Sequence, residues 1–115
     1  MSSQILIWLD GSPTTTLPLP DRGLGFGDGL FETFLLSRGR PLFTEFHFDR
    51  LRQGLAVLGM PDCMLEARRY LESAAIAISQ EGWTWAVLRM TITRGAGPRG
   101  YAPPENPSIR IVVEG

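Results

Sequence analysis

Three short stretches of this chain set charged, aromatic or small residues at spacings that could serve chemistry. The first is Asp21-Arg22-Gly23-Leu24-Gly25-Phe26-Gly27-Asp28-Gly29-Leu30-Phe31-Glu32-Thr33. Glycine at every second position from 23 to 29 strips one side of the backbone of side chains, so a ligand or another segment can approach closely. A dinucleotide fingerprint needs a third glycine where Leu30 stands, so that reading fails. A glycine-rich turn needing positive φ and a ligand contact both fit what remains. The second stretch is His47-Phe48-Asp49-Arg50-Leu51. On a helix, His47 and Arg50 share a face three residues apart. Taken singly, His47 reads as a structural or capping residue and Arg50 as a solvated helix residue. With no Cys or second His at ligand spacing, a metal site is not expected. The third stretch is Arg94-Gly95-Ala96-Gly97-Pro98-Arg99-Gly100-Tyr101, where two arginines and one aromatic in a small-residue loop suggest an anion clamp.

Charge limits what such residues could bind. Lys plus Arg total 11, all of them arginine, against 12 acidic residues, for a formal net charge of −1. That balance lacks the basic field that nucleic acid or an anionic membrane surface would need. Arginine without lysine favours fixed forked contacts to phosphate or carboxylate, and removes any chemistry that needs a titratable side-chain amine. The single cysteine, Cys63, stands at a predicted helix start and reads as a small apolar filler rather than a nucleophile. It permits no internal disulfide and suits a reducing cytoplasm, the expected location. The start Met1-Ser2-Ser3-Gln4 has no basic region, and apolar runs such as Ile5 to Leu9 are too short to span a membrane.

The elements that must position these stretches follow from periodicity and turn signals. Ile5 to Leu9 is a short strand candidate ending in the hairpin signal Asp10-Gly11, and Ser12 to Pro20 reads as edge or loop. Leu30 to Ser37 is a second strand, turning at Arg38-Gly39 into Pro41-Leu42-Phe43, and the three pieces suggest a meander. Thr44 offers an N-cap for a helix carrying Phe48, Leu51, Leu55 and Leu58 and stopped by Gly59. A second helix from near Asp62 to Gly82 turns Leu65, Leu71, Ala74, Ala75 and Ile78 inward. Trp83 to Thr93 and Ser108 to Val113 complete the set as strands. Strands, two helices and strands again predict an α+β domain, with the helices on one face of a mainly antiparallel sheet.

The three stretches, in this order and at these spacings, resemble the class IV aminotransferase family of pyridoxal-phosphate enzymes, the fold-type IV group. Asp21-Arg22-Gly23 followed by Phe26-Gly27-Asp28-Gly29-Leu30-Phe31-Glu32 is similar to its first signature, and His47-x-x-Arg50-Leu51 to its second. Within the family, Arg94-Gly95-x-Gly97-x-Arg99-Gly100-Tyr101 most resembles the aminodeoxychorismate lyases, which release pyruvate to form 4-aminobenzoate for folate synthesis. The resemblance implies a small domain of this fold and pyridoxal 5′-phosphate as cofactor. It implies Arg50 at the cofactor phosphate, and Phe26, Phe31, Arg89, Arg99 and Tyr101 at the substrate, aminodeoxychorismate. It also implies a homodimer in which small domains contribute to the neighbouring active site.

D-amino-acid and branched-chain aminotransferases of the same family are the alternative activities, and a non-catalytic module binding a small anion or a partner is the alternative class. The family's lysine, which bonds covalently to the cofactor, has no counterpart here, because the chain contains no lysine. Residues 1–115 are therefore expected to be the N-terminal small domain of a longer enzyme, inactive alone.

Overall fold

The computed structural model describes residues 5–95 and 109–115. The element order is β1 (Ile7–Leu9), β2 (Ser12–Pro13), α1 (Arg22–Phe26), β3 (Gly29–Ser37), β4 (Arg40–Pro41), α2 (Thr44–Leu58), α3 (Met64–Ser79), β5 (Trp85–Thr93) and β6 (Arg110–Glu114). All strand pairs are antiparallel, in one sheet of order β2-β1-β6-β5-β3-β4. The predicted α+β class is what the structure shows.

Two-residue turns close both short hairpins. Asp10 and Gly11 (φ 49° and 85°) join β1 to β2, and Arg38 and Gly39 (φ 49° and 79°) join β3 to β4. Positive φ at both turn positions matches the twist of the strands they connect. The expected meander does not form. The two hairpins occupy opposite edges of the sheet, because β5 and β6, which arrive last in the chain, pair between them. The nine-residue register of β3 on β5, from Gly29 opposite Thr93 to Ser37 opposite Trp85, is the spine of the domain.

Side-chain alternation divides the sheet into two faces. Phe34, Leu36, Leu88, Met90, Ile92 and Val113 point to the helices and are buried. From α2, Phe48, Leu51 and Leu55 meet them at helical spacing, and α3 adds Met64, Ala67, Leu71, Ala74, Ala75 and Ile78. Leu65, expected inward, is 76% exposed, because the buried stripe begins at Met64 and runs one residue out of phase with it. Thr44 is not the N-cap of α2 but its first helical residue; Phe43, in the left-handed region at φ 55°, precedes it without a side-chain cap. The start of α3 is capped instead, Met64 N donating to Asp62 Oδ1 at 2.9 Å. Cys63 sits buried beside that cap, its thiol pushed up to about 11 by burial and by the nearby Glu66 and Asp62 carboxylates, as suits a packing residue.

Candidate active site

The sheet face away from the helices is open. On it Phe31 (59% exposed), Leu35, Val87 and Trp85 lie uncovered, the alternates of the buried Glu32, Phe34 and Leu36. The same alternation brings Arg89 and Glu114 directly opposite each other on β5 and β6. Arg89 Nε and Nη2 donate to Glu114 Oε1 at 3.0 and 2.8 Å, and the guanidinium carbon lies 5.7 Å from the Phe31 ring centroid. A hollow of about 390 Å³ opens here, walled by Leu17, Leu24, Gly27, Phe31, Arg89 and Glu114. Its largely apolar walls and the Arg89–Glu114 pair suit a small molecule with an apolar body and a polar end.

The rim of the hollow is the glycine-rich stretch, and buried ions hold that stretch in place. Asp21 caps α1, its Oδ2 accepting from Leu24 N at 3.2 Å. Its Oδ1 accepts from Thr93 Oγ1 at 2.8 Å and Arg110 Nη1 at 3.0 Å. Arg110 also donates to the carbonyls of Pro18 and Pro20, tying the preceding loop to the same point. Asp28 Oδ2 accepts from Arg22 Nε at 2.9 Å and Arg94 Nε at 2.7 Å, and Arg94 Nη2 donates to the Leu58 carbonyl at 2.5 Å. Burial pushes the Asp28 carboxyl up, but hydrogen bonds from Arg94 and Arg22 and their charges outweigh it, so its pKa is lowered from the usual carboxylate value.

Close approach explains two of the four glycines of this stretch, Gly23 and Gly29. A Cβ on Gly23 would stand 2.5 Å from Thr93 Cγ2, and one on Gly29 would stand 2.7 Å from the Ile92 carbonyl oxygen. Of the four, only Gly27 (φ 65°), the C-cap of α1, needs the left-handed region. At Gly23 and Gly29 the segment approaching the backbone is the chain's own β5.

Arg50 lies elsewhere. Glu32 points to the helix side of β3, and there Arg50 Nε stands 3.0 Å from Glu32 Oε1, with His47 Nδ1 at 3.7 Å from the same oxygen. The Arg50 side chain is 62% exposed, while those of Glu32 and His47 are 10% and 17% exposed. The Arg50 guanidinium carbon lies 5.8 Å from the Phe46 ring centroid, and the side chain is otherwise largely open to solvent. A forked cation presented outward in this way fits a phosphate dianion.

The structure thus brings Phe31 and Arg89 together at the hollow and sets Arg50 apart from them on the opposite face. Arg99 and Tyr101 lie outside the described residues, as does the side chain of Phe26. The anion-clamp reading fails for Arg94, which is 4% exposed and committed to Asp28 and Leu58. Sequence reasoning missed Glu32, Asp28, Arg110 and Glu114 as site-shaping residues. Strand alternation could have signalled Glu32, a charged residue in register with the buried positions 34 and 36. Among the described residues no group of acidic, His or Cys side chains could hold a metal, and no helix is long and apolar enough to cross a membrane.

Comparison with known proteins adds the following. The sequence model described as "Amino-transferase class IV" matches residues 29–114. An aminodeoxychorismate lyase from Vibrio harveyi is 32% identical over 108 residues, covering 92% of this chain and 38% of that protein. The crystal structure of 4-amino-4-deoxychorismate lyase from Pseudomonas aeruginosa superposes with a TM-score of 0.85 at 39% identity, over 94% of this chain and 38% of the other. A hypothetical aminotransferase from Mycobacterium tuberculosis in its PLP-bound form shares the fold, with a TM-score of 0.76 at 24% identity, over 94% of this chain and 38% of that one. The chain therefore spans about two fifths of the length of these relatives.

Proposed function

The chain belongs to the class IV amino-transferase family, and on that premise we propose that it serves as the small domain of a pyridoxal-phosphate lyase releasing pyruvate from 4-amino-4-deoxychorismate. The observation that carries the proposal is the open-face hollow, where glycine backbone, the Phe31 ring and the Arg89–Glu114 pair converge. A planar, carboxylate-bearing substrate suits those walls. Phe31 supplies an apolar face for the ring, and Arg89 supplies a cation that can turn from Glu114 towards a substrate carboxylate. Glu114 holds Arg89 extended across the sheet until then, so little side-chain freedom is left to lose on binding.

Arg50 supports the cofactor half of the proposal. Its outward fork would grip the phosphate, and when bound the cofactor supplies an electron sink for breaking the bond to the departing three-carbon unit. Asp21 and Asp28 anchor the rim of the hollow beside β5, which fixes the wall that the substrate would meet. Arg99 and Tyr101 join the reading as contacts to the substrate's carboxylate end. The lysine that bonds to the cofactor belongs to a second domain of the intact protein, because none of the basic residues here is lysine. With Arg50 and the hollow on opposite faces, a complete site also needs that second domain or a neighbouring copy, which favours a homodimer.

The test is product analysis on the intact protein supplied with aminodeoxychorismate. Equal amounts of 4-aminobenzoate and pyruvate are expected, with no requirement for a 2-oxo acid. Amino-group transfer from a D- or branched-chain amino acid to a 2-oxo acid, without aromatic product, would instead establish the transaminase activity of the same family.

A further inference from the structure

Glu32 is buried to 8% exposure on a strand face otherwise given to Phe34 and Leu36, yet its Oε1 has no hydrogen bond. The Nδ1 of His47, also buried, has none either. Arg50 Nε comes within 3.0 Å of Glu32 Oε1, which is ion-pair range, but off the line a hydrogen bond requires. A buried carboxylate oxygen without a hydrogen bond is costly to keep in a core. Such a group calls for a role beyond packing.

The surroundings indicate one. The His47 ring packs 4.7 Å from Phe34 and 5.8 Å from Phe46, so it is fixed, and its Nδ1 faces the same carboxylate oxygen that Arg50 approaches. The Arg50 guanidinium carbon lies 5.8 Å from the Phe46 ring, which limits its swing on the other side. An exposed arginine on a helix would otherwise sample many rotamers, and ordering it on ligand arrival would cost affinity. Here Arg50 Nε lies 3.0 Å from the buried Glu32 Oε1, while the side chain as a whole stays 62% exposed.

We infer that Glu32, steadied by His47, is a positioning residue that orients the Arg50 fork towards a phosphate monoester. The inference rests on the reading of Arg50 as the residue that grips the cofactor phosphate. It sets orientation against charge. By Coulomb repulsion alone, a carboxylate behind the arginine disfavours an incoming dianion, so removing it should tighten binding by about sevenfold for a charge of −2 on the order of 7 Å away in water-like surroundings. If orientation dominates, removing it should weaken binding, by roughly tenfold in line with other outer-shell partners of a ligand-binding group.

The experiment is fluorescence titration of the intact apoprotein with pyridoxal 5′-phosphate and, separately, with pyridoxal, which lacks the phosphate. Wild type, Glu32→Gln and Arg50→Lys are compared. The expected result is that both substitutions weaken pyridoxal-phosphate binding and leave pyridoxal binding unchanged. If Arg50→Lys weakens it while Glu32→Gln leaves it unchanged or tightens it, the positioning role is overturned and the phosphate grip stands. If Glu32→Gln weakens both ligands equally, its effect is general and the positioning role is likewise overturned. If Arg50→Lys has no effect on pyridoxal-phosphate binding, the reading of Arg50 falls and takes the positioning role with it. Should Glu32→Gln fail to fold, Glu32→Asp keeps the charge but withdraws it by one methylene. Selective loss of pyridoxal-phosphate affinity then supports the role, and an unchanged affinity overturns it.

Discussion

Replacing Asp28 by alanine would withdraw the one carboxylate oxygen shared by Arg22 and Arg94, whose side chains are only 4% and 5% exposed. Arg94 would keep the Leu58 carbonyl but lose its counter-ion in a nearly dry setting. Removing one partner of a buried ion pair costs about 3–5 kcal/mol, and two lost hydrogen bonds to charged groups at about 1.5–3 kcal/mol each give an overlapping range of about 3–6 kcal/mol. For a domain of this size that corresponds to a fall of about 12–20 °C in melting temperature. Asp28→Asn, which can keep an oxygen in place but not the charge, should fall between wild type and alanine. Because the folded-state pKa of Asp28 is lowered, its contribution is complete above the unfolded value of 3.8 and is lost as the pH falls through the folded value. Urea unfolding followed by circular dichroism at neutral pH and at a series of pH values below 3.8 tests both points. The gap between wild type and Asp28→Ala should be wide at neutrality and close in acid. A gap under about 1 kcal/mol at neutral pH, or one that acid leaves unchanged, would refute the account of the buried network.

The rim glycines should differ sharply from one another. Gly29→Ala forces a methyl against the Ile92 carbonyl and should cost about 1–3 kcal/mol by thermal melt, whereas Gly25→Ala meets nothing within 4 Å and should be neutral within about 0.5 kcal/mol. Cys63, with its thiol pushed up to about 11, should resist a disulfide reagent at pH 8 in the native state and react at once in denaturant; rapid native labelling would contradict its burial. In the intact enzyme, Arg89→Gln should raise KM for the carboxylate substrate while leaving pyridoxal-phosphate affinity unchanged, since Arg89 faces the hollow and not Arg50; steady-state kinetics beside a cofactor titration separates the two.

Local pattern alone was enough for much of this domain. Phe48, Leu51 and Leu55 on α2, the strand over Leu30 to Ser37, and both hairpin turns follow from spacing and from Asp10-Gly11 and Arg38-Gly39, because periodicity and turn chemistry act over a few neighbouring residues. The motifs that mark the family were equally legible, since a motif is a matter of residue type and spacing. Strand order was not, because β5 and β6 insert between the two hairpins through pairings between distant parts of the chain. The short helix α1 also escaped notice. Glycine disfavours a helix locally, and the Asp21 cap and the hold of Arg22 and Arg94 on Asp28 help to override that preference. Above all, Arg50, Arg89 and Arg94 are the same residue in sequence. Tertiary packing alone made the first an outward fork, the second half of an exposed pair beside a hollow, and the third a buried strut. An arginine's role is set by which carboxylates and how much water the fold places around it, and neither is encoded in the residues beside it.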